Sequence, residues 1–456
     1  MVGFAFADSS IVVLALPDLI RQFRPTVSDV AWVITSYNLV LGAVALAVAV
    51  LVRGFAPRPA CILGLTLFLG SSLACGSAGG LWELVAWRCV QGLGGGLLLL
   101  STLPILRSLV VSPAQATRLW IAAGAIGSVI GPAAGGFLTE LLSWRFIFFA
   151  QAPFALLAIF AAARVPAQPT VTLTIDAGIP SRDRAKRLRA NLGLAIASAA
   201  LVGVLFLAVL LLIDAWKMRP LAAAAIVSAY PIAAVLVQPL ASGASVRRMG
   251  LGTLLLIGGL AGMAIVPAGD SGWAIASLSL AGLGTGLVVP GLTRSALGEG
   301  IELKSAVWTV PARQAGLIAG LLILTPLLSA DVTSSVNRVQ DEVTTNFLSA
   351  PVPLPIKIGI GTQIAPLAER PFDLLPRLVA LLRESPDPDA KALGNQMDSL
   401  IRTRLTGAFR RAFWIASLLA ALVLPALVLV AAARKSSKRK EYDLVAGTST
   451  VSDAIE

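Results

Sequence analysis

The chain has 456 residues, 57% of them hydrophobic and 13% charged, with a mean hydropathy of +0.84. Soluble domains run at roughly 45–50% apolar and about 25% charged, and a single soluble core stops growing near ~250–300 residues, so a soluble fold is excluded and the chain reads as an integral membrane protein. The lack of any histidine excludes Ser-His-Asp triads, His-ligated zinc and imidazole relays, and the net charge of +12, which in a soluble chain would suggest nucleic acid, needs another origin.

A membrane-spanning helix needs ~20 mostly apolar residues, because the hydrocarbon core is ~30 Å thick. In chain order, such runs lie at 1–20, 30–52, 60–79, 82–105, 118–141 and 144–163. The first of them lacks the basic start of a secretory signal peptide. A hydrophilic stretch at 164–190 follows, then runs at 191–213, 220–241, 251–268, 272–293, 305–328 and 412–433. Six plus six predicts an all-α membrane fold. Its parts are an N-terminal six-helix bundle (1–164), a basic cytoplasmic linker (165–190), a C-terminal bundle (191–434) and a cytoplasmic tail (435–456). The polar segment 331–411 inside the second bundle is expected outside the cell, as a small folded cap or a mobile loop, with a helical stretch at Leu374–Leu382. Within it, 347–368 is fairly apolar, but Pro351, Pro353, Pro355 and Pro366 would break the hydrogen-bond ladder that lipid demands, so it is expected to be loop.

The basic residues account for the charge. With a cytoplasmic N-terminus, the inner segments carry 19 Lys and Arg and the short outer loops carry 5. Lys and Arg concentrate on the cytoplasmic side of short loops, so an even number of spans with both ends inside is expected. The excess is topological and nucleic acid drops out. The three cysteines, Cys61, Cys75 and Cys89, lie in apolar runs and make no disulfide framework.

The two halves repeat at an offset of about 190 residues. Gln91-Gly92-Leu93-Gly94-Gly95-Gly96 in the fourth span parallels Ala281-Gly282-Leu283-Gly284-Thr285-Gly286 in the tenth. Ser36-Tyr37 in the second span parallels Ser228-Ala229-Tyr230 in the eighth, and both spans end in a basic turn. Parallel repeats of this kind enclose a central path between two bundles related by a pseudo-two-fold axis along the membrane normal.

Several motifs at these spans resemble the major facilitator superfamily, and within it the drug:proton antiporters of the 14-helix class. They are Asp8-Ser9-Ser10-Ile11-Val12-Val13-Leu14-Ala15-Leu16-Pro17 in the first span, Arg88-Cys89-Val90-Gln91-Gly92-Leu93-Gly94 in the fourth, and Gly124, Gly127, Gly131-Pro132 and Gly135-Gly136 in the fifth. The resemblance covers nearly the whole chain and implies the two-bundle fold of that superfamily. It also departs from the class. The chain has about 12 spans, and Arg53 stands where the loop after the second span usually carries a gating aspartate.

An ionisable residue inside a span marks a functional site by default, because burying its charge is costly. Asp8 is the first such residue; with no histidine in the chain, a carboxyl group is the natural proton carrier. Arg88 in the fourth span needs a partner, for which Glu83 or backbone carbonyls are candidates, and the resemblance implies a part in proton coupling. The cavity candidates are Tyr37, Asn38, Gln91, Gln151, Tyr230, Trp308 and Arg313, polar or amphipathic positions within or at the edges of spans. Asn191 and Gln238 are further such positions, and Glu140 reads as structural. Gly127, Gly131 and Gly135 repeat every four residues beside Pro132 and Gly136; such a stripe lets helices approach closely and bend, as a gate would.

No nucleotide-binding, metal or catalytic signature is present, so an enzyme is not expected and no cofactor is implied. The expected activity is proton-coupled export of small amphipathic compounds by a monomer in the cell membrane, with Arg434–Lys440 against anionic headgroups. Two alternatives are an uptake symporter and a non-transporting receptor that binds through 331–411.

Overall fold

A computed structural model describes residues 7–8, 11–52, 54–172, 181–241, 245–297, 303–367 and 371–428. Arg53, part of the linker and the Arg434–Lys440 cluster lie outside the described residues. Eleven helices among the described residues are long and apolar enough to cross a membrane. The expected first span lies partly outside; its described part is a 3-10 turn, Val12–Ala15, running into α1, Leu16–Phe23. The first half continues with α2 (Val27–Leu51), α3 (Pro57–Ser77), α4 (Leu81–Leu109), α5 (Pro113–Leu141), α6 (Arg145–Phe149) and α7 (Gln151–Arg164). The sixth span is thus two helices, because Pro153 has no N–H to bond back to the turn at Phe149. The second half holds α8 (Ser181–Leu210, continued by a π-helical turn to Ala215), α9 (Pro220–Leu236), α10 (Val246–Ala264), α11 (Ser271–Leu297), α12 (Leu303–Ser349), α13 (Leu354–Ile364), α14 (Pro371–Glu384) and α15 (Pro388–Ala421).

Helix starts follow local chemistry. Thr26 and Asp29 form a reciprocal capping box at α2, and Ser112 and Asp387 cap α5 and α15 through their side chains. Glu83 accepts from the Gly79 N–H at 2.8 Å at the start of α4, so it serves that helix end and is not the partner of Arg88.

The sequence repeat has a physical counterpart in how the glycines pack. A Cβ added at Gly92 would lie 2.5 Å from the Tyr37 carbonyl oxygen, and one at Gly282 would lie 2.1 Å from that of Tyr230. One at Gly94 would meet the Gly64 carbonyl oxygen at 2.6 Å, and one at Gly284 that of Gly252 at 2.5 Å. In each half, then, the glycine ladder of one helix (α4 or α11) admits the backbones of two neighbours (α2 and α3, or α9 and α10). Without a hydrophobic driving force in lipid, such backbone approach is what holds helices together. Gly282→Val is expected to leave no monodisperse, heat-resistant protein after extraction, measured by size-exclusion fluorescence. An unchanged profile would show that the α9–α11 contact is dispensable.

Segment 331–411 is a helical cap and not a loop. At ~1.5 Å per residue, the 47 residues of α12 span about 70 Å, more than twice the hydrocarbon thickness. Its outer end packs with α14 and α15 around Val336, Val339, Val343, Leu378, Leu382 and Met397. The expected loop at 347–368 contains α13, because Pro353 and Pro355 fall at its N-cap and second position, where a missing N–H costs nothing. At 11 residues α13 is too short to span. The helical stretch expected at Leu374–Leu382 is part of α14.

On the opposite side, β1 (Gly54–Phe55) pairs antiparallel with β2 (Val171–Thr172), joining the turn after α2 to the linker. The Arg58 guanidinium donates to the Ala163 carbonyl at 2.5 Å beside it.

Candidate proton-coupling site and central cavity

Asp8 and Arg88 meet in the first half as a fully buried ion pair, Arg88 Nη1 to Asp8 Oδ2 at 2.7 Å, with neither side chain exposed. Arg88 also donates to the Val33 carbonyl (3.0 Å) and to Gln91 Oε1 (2.6 Å), and its guanidinium lies 4.3 Å from the Tyr37 ring centroid. The other Asp8 oxygen accepts from Gln151 Nε2 at 2.8 Å. Gln91 Nε2 donates to Gln151 Oε1 (2.9 Å) and to Ser72 Oγ (2.8 Å). Six side chains from the first segment, α2, α3, α4 and α7 thus form one polar network in an apolar bundle. Arg88 Nη2 has no hydrogen-bond partner among the described residues, which leaves the network a spare donor. A buried ion pair is weak evidence for stability, since desolvation opposes the attraction, but removing one partner strands the other.

A cavity of about 210 Å³ lies between the two halves. Asn38 from α2, Tyr230 from α9 and Arg313 from α12 line it. So do Gln238, Trp120, Thr285 and Gln314. Three other cavity candidates do not line it: Gln91 and Gln151 hydrogen-bond to the Asp8–Arg88 pair, and the Tyr37 ring lies against the Arg88 guanidinium. Trp308 does not line it either; it is a partly exposed residue near the start of α12, where an indole suits the membrane interface. Ser72 was missed by sequence reasoning, since a lone serine in a span is unremarkable until its neighbours are known. Asn191 is absent from the cavity lining.

The fifth-span glycines pack both within the first half and against the second. Gly127, Gly131, Pro132, Gly135 and Gly136 are all buried in α5. An added Cβ at Gly135 would lie 2.7 Å from the Ile11 carbonyl oxygen, and one at Gly136 would lie 2.3 Å from the Ala224 Cβ of α9. One helix turn further on, Glu140 crosses to the other half: its Oε2 accepts from the Leu221 N–H at 2.8 Å, and Arg219 Nη1 lies 3.7 Å from its Oε1. A carboxylate on the free N–H groups of a helix start is favourable by about 1 kcal/mol, so Glu140 latches α5 to α9 on the cap side. With the three native cysteines replaced by serine, Glu140→Ala is expected to raise the labelling rate of a cysteine at Ile34 by a membrane-impermeant thiol reagent several-fold. An unchanged rate would remove Glu140 from the closure.

Similar proteins agree with this arrangement. The profile of the Major Facilitator Superfamily matches residues 1–301. An uncharacterised MFS-type transporter of Mycobacterium tuberculosis is 36% identical over 179 residues, which cover 37% of this chain and 30% of that protein. The multidrug resistance protein Stp of the same organism is 32% identical over 158 residues, covering 34% and 29%. The chain thus spans only about a third of the length of these curated relatives. A bacterial homologue of the human lysosomal transporter Spinster superposes with a TM-score of 0.65 at 13% identity, over 95% of each chain, and so shares the fold. A cavity between the two halves and a family match over residues 1–301 together make this chain a member of the major facilitator superfamily, with eleven membrane-crossing helices among the described residues.

Proposed function

We propose that this transporter exports small amphipathic, drug-like compounds from the cell in exchange for protons. The carrying observation is the fully buried Asp8–Arg88 pair, set apart from the cavity and wired through Gln91 and Gln151 to the first segment and four helices of one half. Protonating Asp8 removes the charge that holds Arg88, while Arg88 keeps the Val33 carbonyl, Gln91 and the Tyr37 ring. The first half repacks around the released guanidinium, and the close contact of Gly136 with α9 lets the halves rock about the cavity. Alternating access of this kind exposes a fixed midplane site to each side in turn. Further support comes from the names of relatives, which include a multidrug resistance protein of Mycobacterium tuberculosis and a methylenomycin A resistance protein of Bacillus subtilis. We place the protein in the cell membrane as a monomer with both ends in the cytoplasm and its basic tail on anionic lipid.

The test is transport in inverted membrane vesicles, where the cytoplasmic face is outside. An imposed pH gradient, acid inside, is expected to drive an amphipathic dye into the vesicles. Dye and protons moving in the same direction would instead establish uptake by symport, the alternative reading. No gradient-dependent movement of any dye in a broad panel would remove proton coupling.

A further inference from the structure

Charge in the central cavity is one-sided. Arg313 of α12 is the only charged residue among the described residues lining it; no Asp or Glu is among them. Two carboxylates of the first half are engaged elsewhere: Asp8 with Arg88, and Glu140 with the start of α9. The rest of the wall is mostly apolar, including Leu201, Leu205 and Phe206. Two buried lining amides carry unsatisfied acceptors. Asn38 spends its Nδ2 on the Ile34 carbonyl at 2.9 Å, and neither its Oδ1 nor Gln314 Oε1 has a hydrogen-bond partner among the described residues; the two residues are 1% and 3% exposed. Buried acceptors of this kind are satisfied by something in native structures. Facing a cavity, these two ask for a ligand N–H or O–H.

We infer that the cavity selects amphipathic anions that also carry a hydrogen-bond donor, and discriminates against amphipathic cations. In a low-dielectric chamber a fixed guanidinium attracts a carboxylate or sulfonate and repels an ammonium group, and no carboxylate among the described lining residues offers a cationic ligand a counter-charge. Arg suits this role because it stays charged when buried and binds oxyanions through two donors. This inference rests on the export reading for what the cavity does, but it concerns binding alone and is tested separately.

The experiment uses the full chain in lipid nanodiscs and three probes. 8-Anilinonaphthalene-1-sulfonate is an anion with an N–H, N-phenyl-1-naphthylamine is its neutral counterpart without the sulfonate, and ethidium is an amphipathic cation. Affinities are read by thermal stabilisation. The anion is expected to bind at least tenfold tighter than either of the others. Arg313→Gln is expected to lose that tenfold while leaving the neutral probe within twofold, and Arg313→Lys to keep most of it. Ethidium binding as tightly as the anion, or Arg313→Gln leaving the anion unaffected, would overturn the inference. The neutral probe reports whether the variant has kept its cavity. The same three probes are then followed in inverted vesicles. Anion-selective binding without gradient-driven transport would defeat the export reading and leave the anion site standing; gradient-driven transport of ethidium in preference to the anion would do the reverse.

Discussion

Asp8→Asn is expected to abolish pH-gradient-driven transport and to weaken the fold at the same time. The side chain keeps its shape, so Arg88 Nη1 can still donate to an amide oxygen, but the charge that neutralises a fully buried guanidinium is gone. Stranding one partner of a buried pair costs about 3–5 kcal/mol. The second Asp8 contact also suffers: Gln151 Nε2 donates to Oδ1, and an amide there presents either its NH₂ to Gln151 or its NH₂ to Arg88. Loss of transport in this variant alone would therefore be ambiguous. The double variant Asp8→Asn with Arg88→Gln resolves it, because no charge is left to strand. It is expected to recover most of the lost thermal stability while remaining uncoupled. Wild-type coupling in either variant, in proteoliposomes with an imposed gradient, would rule Asp8 out as the proton carrier.

Gly136→Leu should have the second large effect. An added Cβ at that position would sit 2.3 Å from the Ala224 Cβ and 2.9 Å from the Pro220 carbonyl oxygen, one on side chain and the other on backbone of the opposite half. A leucine needs far more room than a single Cβ, and both obstacles belong to α9, so the halves must separate on the cap side. Because the contact lies between halves and not inside either, each bundle is expected to fold. Labelling of a cysteine at Ile34 from the cap side should become fast and insensitive to substrate, and transport should fall at least tenfold. Failure to fold would show that the contact is structural; normal transport would show that α5 and α9 do not need to close. Gly136→Ala makes the graded comparison, since α9 can yield to one methyl group more easily than to a leucine.

Spans, repeat and charged centre were legible in the sequence because each leaves a local mark. Twenty apolar residues mark a span, Gly92–Gly96 against Gly282–Gly286 marks the repeat, and a lone Asp8 or Arg88 stands out in apolar surroundings. What was not legible depends on which side chains share a face across helices. Gln91 and Gln151 read as cavity residues because a single amide in a span does not reveal its partner; only the fold shows them bound to the ion pair. Glu140 read as structural because its partner, the start of α9, is 81 residues away. The cap was obscured differently. Val336, Val339, Val343 and Phe347 follow a helical period, but the charged residues between them lower any hydropathy average, so a continuous helix reads as polar.

That continuous helix also gives the cap a mechanical meaning. Arg313 and Phe347 stand on the same α12, 34 residues and about 50 Å apart along its axis, and α15, which completes the cap core, likewise belongs to the second half. The cap is therefore a handle on one half alone. A spectroscopic label at its tip, paired with one near α6 in the first half, would register the swing of the halves as a change in separation, magnified by the length of the lever. An antibody fragment gripping the cap and the rim of the first half together would stop that swing without touching the cavity.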